Sequence, residues 1–157
     1  RLCERNTEEF FVTAWMAILT LSTGEGLAVN AGHEHPALKR AGGEYELIKY
    51  PHGFALATLE NVKYDERKFC LKPGDSIFVY TDGVTEASND KNEEFGMNRM
   101  TEVLNRNPDA RPEEVIRAMT AAIKQYADGA EQFDDITMLS FAYLGEKGTE
   151  KQLGDEK

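Results

Sequence analysis

The stretch Ser76-Ile77-Phe78-Val79-Tyr80-Thr81-Asp82-Gly83-Val84-Thr85-Glu86-Ala87 reads as a buried strand that runs straight into an acid. Ser76 to Thr81 is dense in β-branched and aromatic residues, a composition that suits a pleated, packed surface. It follows Lys72-Pro73-Gly74-Asp75, whose Pro and Gly mark a turn. Downstream the period changes from two to between three and four. Met100, Val103 and Leu104 recur at helical spacing between Gly96 and Asn105, and Val115, Ile116, Met119, Ala122, Ile123 and Tyr126 form one stripe. Pro112 suits the first turn of that second helix, and Glu113 and Glu114 suit its positive N-terminus. Ile136 to Tyr143 reads as a closing strand.

Upstream, Phe10 to Leu21 is apolar on both alternating faces, which predicts a strand covered on both sides. Ser22 to Gly26 is a turn cluster and Leu27 to Asn30 a second strand, so the pair predicts a hairpin. Short strands are expected at Ala37 to Arg40 and Glu44 to Ile48, continuing a meander. Tyr50 to Glu60 has no period and reads as loop, and Tyr64 to Leu71 reads as a strand. Strands, then two helices, then a strand, without βαβ alternation, predict an α+β domain with antiparallel sheets.

The 157 residues, 41% of them hydrophobic, suffice for one globular unit. A net charge of −10 repels a phosphate backbone, and no basic cluster offsets it, so no nucleic-acid binding is expected. Cys3 and Cys70 lack the spacing of a metal or redox pair and read as reduced thiols. The longest apolar run, Ala14 to Leu19, is far below the ~18 residues that cross a bilayer. A soluble, cytoplasmic chain is expected, with membrane anchoring of a longer parent left open. Gly145 to Lys157 is almost wholly polar and is expected to be a disordered tail.

If the strands Ser76 to Thr81 and Ile136 to Tyr143 are antiparallel neighbours, Asp82 and the pair Asp134-Asp135 meet at one rim of a sheet. Carboxylates brought together repel unless a cation lies between them, and oxygen donors select hard ions such as Mg²⁺ or Mn²⁺. The plain alternative stays open: Asp-Gly is an ordinary turn dipeptide, and an acidic pair before a strand is often a solvated loop.

Six segments stand in an order that resembles one family: Phe11-Val12-Thr13-Ala14, Asn30-Ala31-Gly32-His33 with Pro36, Leu71-Lys72-Pro73-Gly74-Asp75, Tyr80 to Ala87 (YTDGVTEA), Phe95-Gly96, and Asp134-Asp135-Ile136-Thr137. Together they resemble the bacterial SpoIIE-like branch of the PPM (phosphatase 2C-like) metal-dependent protein serine/threonine phosphatases. The resemblance implies a sandwich of antiparallel β-sheets flanked by helices, and a centre of two Mn²⁺ or Mg²⁺ ions whose activated water attacks a phosphoserine or phosphothreonine. It implies Asp82 and Asp134 as metal ligands, with Asp135 and Gly83 ranked after them, and His33 and Thr81 beside the ligands without binding the metal. His35 and His52 are assigned to the surface, and Glu86 to a solvated or capping role. The implied substrate is an anti-sigma-factor antagonist.

Family members also carry upstream acidic motifs of the GDxxD and ADVSGHG kind, which this sequence lacks, and its Gly53 to Ala57 departs from the family's PLG-like motif. Residues 1–144 are therefore expected to be the C-terminal portion of the phosphatase domain, truncated at the N-terminus, inactive alone and prone to self-association. The competing expectation is a catalytically silent module of the same fold that binds a regulatory partner.

Overall fold

The computed structural model describes residues 10–51, 53–130, 132 and 134–146. Cys3, His52 and most of the polar tail lie outside the described residues. Contacts group the chain into two compact units rather than one, the first built from the segments ending at Glu34 and from Lys49–Leu71, the second from His35–Ile48 and Lys72–Leu144.

The first unit holds a three-stranded antiparallel sheet of β1 (Ala14–Leu19), β2 (Glu25–Ala31) and β5 (Arg67–Cys70), in the order β1-β2-β5. The expected hairpin forms. Gly24 takes φ +74°, a left-handed conformation open to glycine, and its N–H donates to Thr20 O at 2.8 Å to close the turn. The Trp15 indole donates to the Tyr50 hydroxyl at 2.8 Å, tying β1 to the irregular segment that follows residue 48. One expectation fails here: β1 is not covered on both sides. Met16 and Ile18 are 62% and 68% exposed, and their cross-strand partners Val29 and Leu27 share that face.

The second unit holds a four-stranded antiparallel sheet of β3 (Ala37–Lys39), β4 (Tyr45–Leu47), β6 (Ser76–Tyr80) and β7 (Met138–Ala142), in the order β4-β3-β6-β7. The meander expected from the first four strands is therefore wrong. The chain leaves the first sheet after β2 and enters the second at β3. Pro36, which has no N–H for a ladder, and Gly32 at φ +71° lie in the connection that makes this change.

Helices α1 (Gly96–Arg106) and α2 (Pro112–Ala127) form where the helical spacing places them. Their stripes bury Met100, Val103, Leu104, Val115, Met119 and Ile123 in one core with Tyr45, Phe78 and Tyr80 of the sheet. Pro112 opens α2; the Arg111 N–H donates to Glu114 Oε2 at 2.9 Å, and the Glu114 N–H donates to the Arg111 carbonyl at 2.8 Å. Asn105 of α1 grips the edge strand, accepting from Tyr45 N–H at 2.7 Å and donating to Tyr45 O at 3.1 Å. No helix among the described residues is long and apolar enough to cross a membrane.

Candidate metal centre

β6 and β7 are antiparallel neighbours, with Tyr80 opposite Met138, so the condition set by the sequence is met. The end of one strand lies beside the start of the other. The Thr81 N–H extends the ladder by donating to Thr137 O at 3.0 Å. The chain then folds into a 3-10 turn over Asp82–Val84, and the Thr81 carbonyl turns away to accept the Val84 N–H at 3.0 Å. The Thr81 hydroxyl takes the place that carbonyl has left, accepting the Thr137 N–H at 3.0 Å, and donates its own proton to Asp135 O at 3.0 Å.

Asp82 is held through its backbone. Its carbonyl accepts the N–H groups of Thr85 and Glu86, each at 2.8 Å, and the Thr85 hydroxyl at 3.1 Å. Sequence reasoning did not single out Thr85, although its spacing three residues after Asp82 is the signal of such a turn. Gly83 is buried against the facing segment: a Cβ on it would stand 2.6 Å from Asp135 O and 3.4 Å from Asp134 O. Asp82-Gly83 and Asp134-Asp135 are thus in backbone contact at one rim of the second unit. The Asp82 carboxylate accepts its neighbour's N–H from Gly83 at 3.1 Å, and Asp134 accepts that of Asp135 at 2.7 Å. All three aspartates are exposed.

The donors at this rim are carboxylate and carbonyl oxygens, which fit a hard divalent cation, and the exposed setting leaves room for water in its shell. Among the described residues no group of three His, Cys, Asp or Glu side chains is close enough to hold an ion alone. A cleft of about 420 Å³ lies elsewhere in the same unit, lined by Ala87, Ile123, Lys124, Ala130, Ile136 and Met138, and includes none of these carboxylates.

His33 belongs to the first unit. The Asn30 side chain builds its turn, accepting the His33 N–H at 2.7 Å and donating to His33 O at 2.9 Å, and the ring Nδ1 lies 3.1 Å from Thr13 Oγ1. His35, expected at the surface, is half-buried. Glu86 is exposed.

Residues 1–143 match the family model described as Stage II sporulation protein E (SpoIIE). The chain is 31% identical over 137 residues to Protein IcfG of Synechocystis sp., covering 87% of this chain and 21% of that protein. Its structure resembles the SiaA-PP2C domain of Pseudomonas aeruginosa with a TM-score of 0.69 at 23% identity, over 83% of this chain and 51% of that one. It also resembles the RsbU and RsbW domains of Rv1364c from Mycobacterium tuberculosis, with a TM-score of 0.69 at 20% identity, over 90% of this chain and 39% of that one. For the phosphatase domain of SpoIIE from Bacillus subtilis the TM-score is 0.61 at 15% identity, over 85% and 59% of the two chains. The chain thus spans about a fifth of its curated relative and about half of the first solved domain. With the family model matched across nearly its whole length, the chain belongs to the SpoIIE family.

Proposed function

We propose that this chain forms part of a Mn²⁺- or Mg²⁺-dependent phosphatase acting on phosphoserine or phosphothreonine in a protein. The observation that carries this reading is the β6–β7 register, which brings Asp82-Gly83 into backbone contact with Asp134-Asp135. Asp82 and Asp134 are the ligands in this reading, with Asp135 and the Gly83 carbonyl available beside them, and His33 serves its turn. Bound metal supplies a water of lowered pKa and offsets charge on the phosphoryl oxygens. This chain's contribution is to hold carboxylates at a rim where an ion and its waters have access. A two-ion centre needs more ligands than this rim offers, and residues 1–144 are read as the C-terminal portion of a larger domain, in keeping with the share of the solved relatives that the chain spans.

The substrate is proposed to be an anti-sigma-factor antagonist, and the location cytoplasmic. Support comes from the family and from one solved structure whose name joins RsbU and RsbW domains. The isolated chain is proposed to be inactive and to self-associate through the exposed apolar face of β1 and β2. A silent module of the same fold that binds a regulatory partner is the second reading.

The test is Mn²⁺-dependent release of phosphate from a phosphoserine protein by the intact protein, with Asp82→Asn alongside. The expected result is turnover that Asp82→Asn lowers at least about 100-fold, equivalent to about 2.7 kcal/mol of barrier. An intact protein that binds its partner but releases no phosphate establishes the silent module instead.

A further inference from the structure

Strand β6 must stop pairing at Thr81 so that Asp82 can enter its tight turn, yet the segment carrying Asp134 and Asp135 has to stay in register with it. The Thr81 carbonyl, which would carry the next rung, instead accepts the Val84 N–H at 3.0 Å. Thr137 is exposed, and its N–H is met by a protein partner all the same. The Thr81 hydroxyl is that partner. It accepts from Thr137 N–H and donates to Asp135 O, both at 3.0 Å, and so replaces one rung of the ladder and adds a further bond on the acid-bearing segment. Gly83 completes the arrangement by letting Asp135 O approach to where a side chain would stand.

We infer that Thr81 is a positioning residue, whose hydroxyl latches the Asp134-Asp135 segment to the Asp82 turn and so sets the two metal-binding acids in place before a cation arrives. The inference rests on the proposed metal-dependent function. Thr81 touches neither ion nor substrate in this reading. It acts by sparing the cation the work of ordering a loose segment, as hydrogen bonds outside a metal's own ligands generally do.

The test compares Thr81→Val, which keeps the shape and removes both hydroxyl bonds, with Thr81→Ser, which keeps both. Mn²⁺ binding to the intact protein is measured by electron paramagnetic resonance of free Mn²⁺, and phosphate release is followed as Mn²⁺ is varied. Thr81→Val is expected to weaken Mn²⁺ binding by about 10- to 100-fold. Turnover at saturating Mn²⁺ should change little, the Thr137 amide should lose hydrogen-exchange protection, and Thr81→Ser should restore all of these. Should Thr81→Val melt early, Thr81→Ala leaves the same two groups unpaired in a smaller side chain and takes its place. Mn²⁺ affinity unchanged in a folded Thr81→Val, or Thr81→Ser as impaired as Thr81→Val, overturns the latch. A wild-type protein that binds no Mn²⁺ overturns the metal-dependent reading itself, and the latch with it.

Discussion

Asp75 Oδ2 lies 2.6 Å from Arg40 Nη1, and the aspartate side chain is 1% exposed while the arginine is 57% exposed. Asp75 also accepts the N–H groups of Lys72 and Ala41, each at 2.9 Å, so one carboxylate ties the turn before β6 to the turn after β3. Burial pushes its pKa up, but the Lys72 N–H, the Arg40 guanidinium and the Ala41 N–H outweigh that and hold it below the ordinary aspartate value. The folded state therefore gives up the Asp75 proton more readily than the unfolded chain does. Its stabilisation is complete above about pH 5 and is lost as pH falls through the ordinary value and then the lower folded one. Asp75→Asn is expected to lower unfolding free energy by about 2–3 kcal/mol at neutral pH, by urea denaturation, with the gap closing in acid. A gap that stays constant down to pH 3 would contradict the charged form being the one bound.

Asp134 and Asp135 are adjacent and both exposed, but only Asp134 is the proposed ligand. Asp134→Asn should abolish measurable Mn²⁺ binding in the intact protein, while Asp135→Asn, whose backbone carbonyl still accepts from Thr81, should weaken it by at most about tenfold. The reverse ranking, by calorimetry, would exchange their roles.

Gly83→Ala places a methyl group 2.6 Å from Asp135 O, which is backbone and cannot swing aside. The segment must shift, at an expected loss of about 1–3 kcal/mol by thermal melting, together with weakened Mn²⁺ binding. An unshifted melting temperature would mean that the approach is looser than it stands here.

Ile18 is 68% exposed on the edge strand β1, beside Met16 and opposite Leu27. The isolated chain should associate through this face at micromolar concentration, and Ile18→Lys should return it to monomer in sedimentation velocity. The substitution moves net charge from −10 to −9 (−10 + 1), which eases repulsion between copies, so loss of association can only reflect the lost apolar surface.

Met119 is fully buried between α2 and the second sheet. Met119→Ala should cost about 2–5 kcal/mol in chemical denaturation, with no change in Mn²⁺ affinity per folded molecule.

Much of this chain was legible from local pattern. The helical stripes from Met100 and Val115 onward, the buried strand ending at Tyr80, the turn at Lys72–Asp75 and the first hairpin follow from side-chain period and turn chemistry, which act over a few residues. So does the placing of Asp82 immediately after one strand and Asp134-Asp135 immediately before another. The sequence could state only a condition for their meeting, since this strand pairing is a contact between segments about sixty residues apart. Tertiary structure met that condition through the β6–β7 register, and it also decided that β5 pairs with β2 and that β3 leaves the first sheet, ending the expected meander. Period alone made β1 apolar on both faces; which face is covered depends on what packs there. The Thr81 hydroxyl bonds were invisible for the same reason: a threonine beside an aspartate is commonplace, and only when a distant N–H and carbonyl arrive beside it does its hydroxyl acquire two partners.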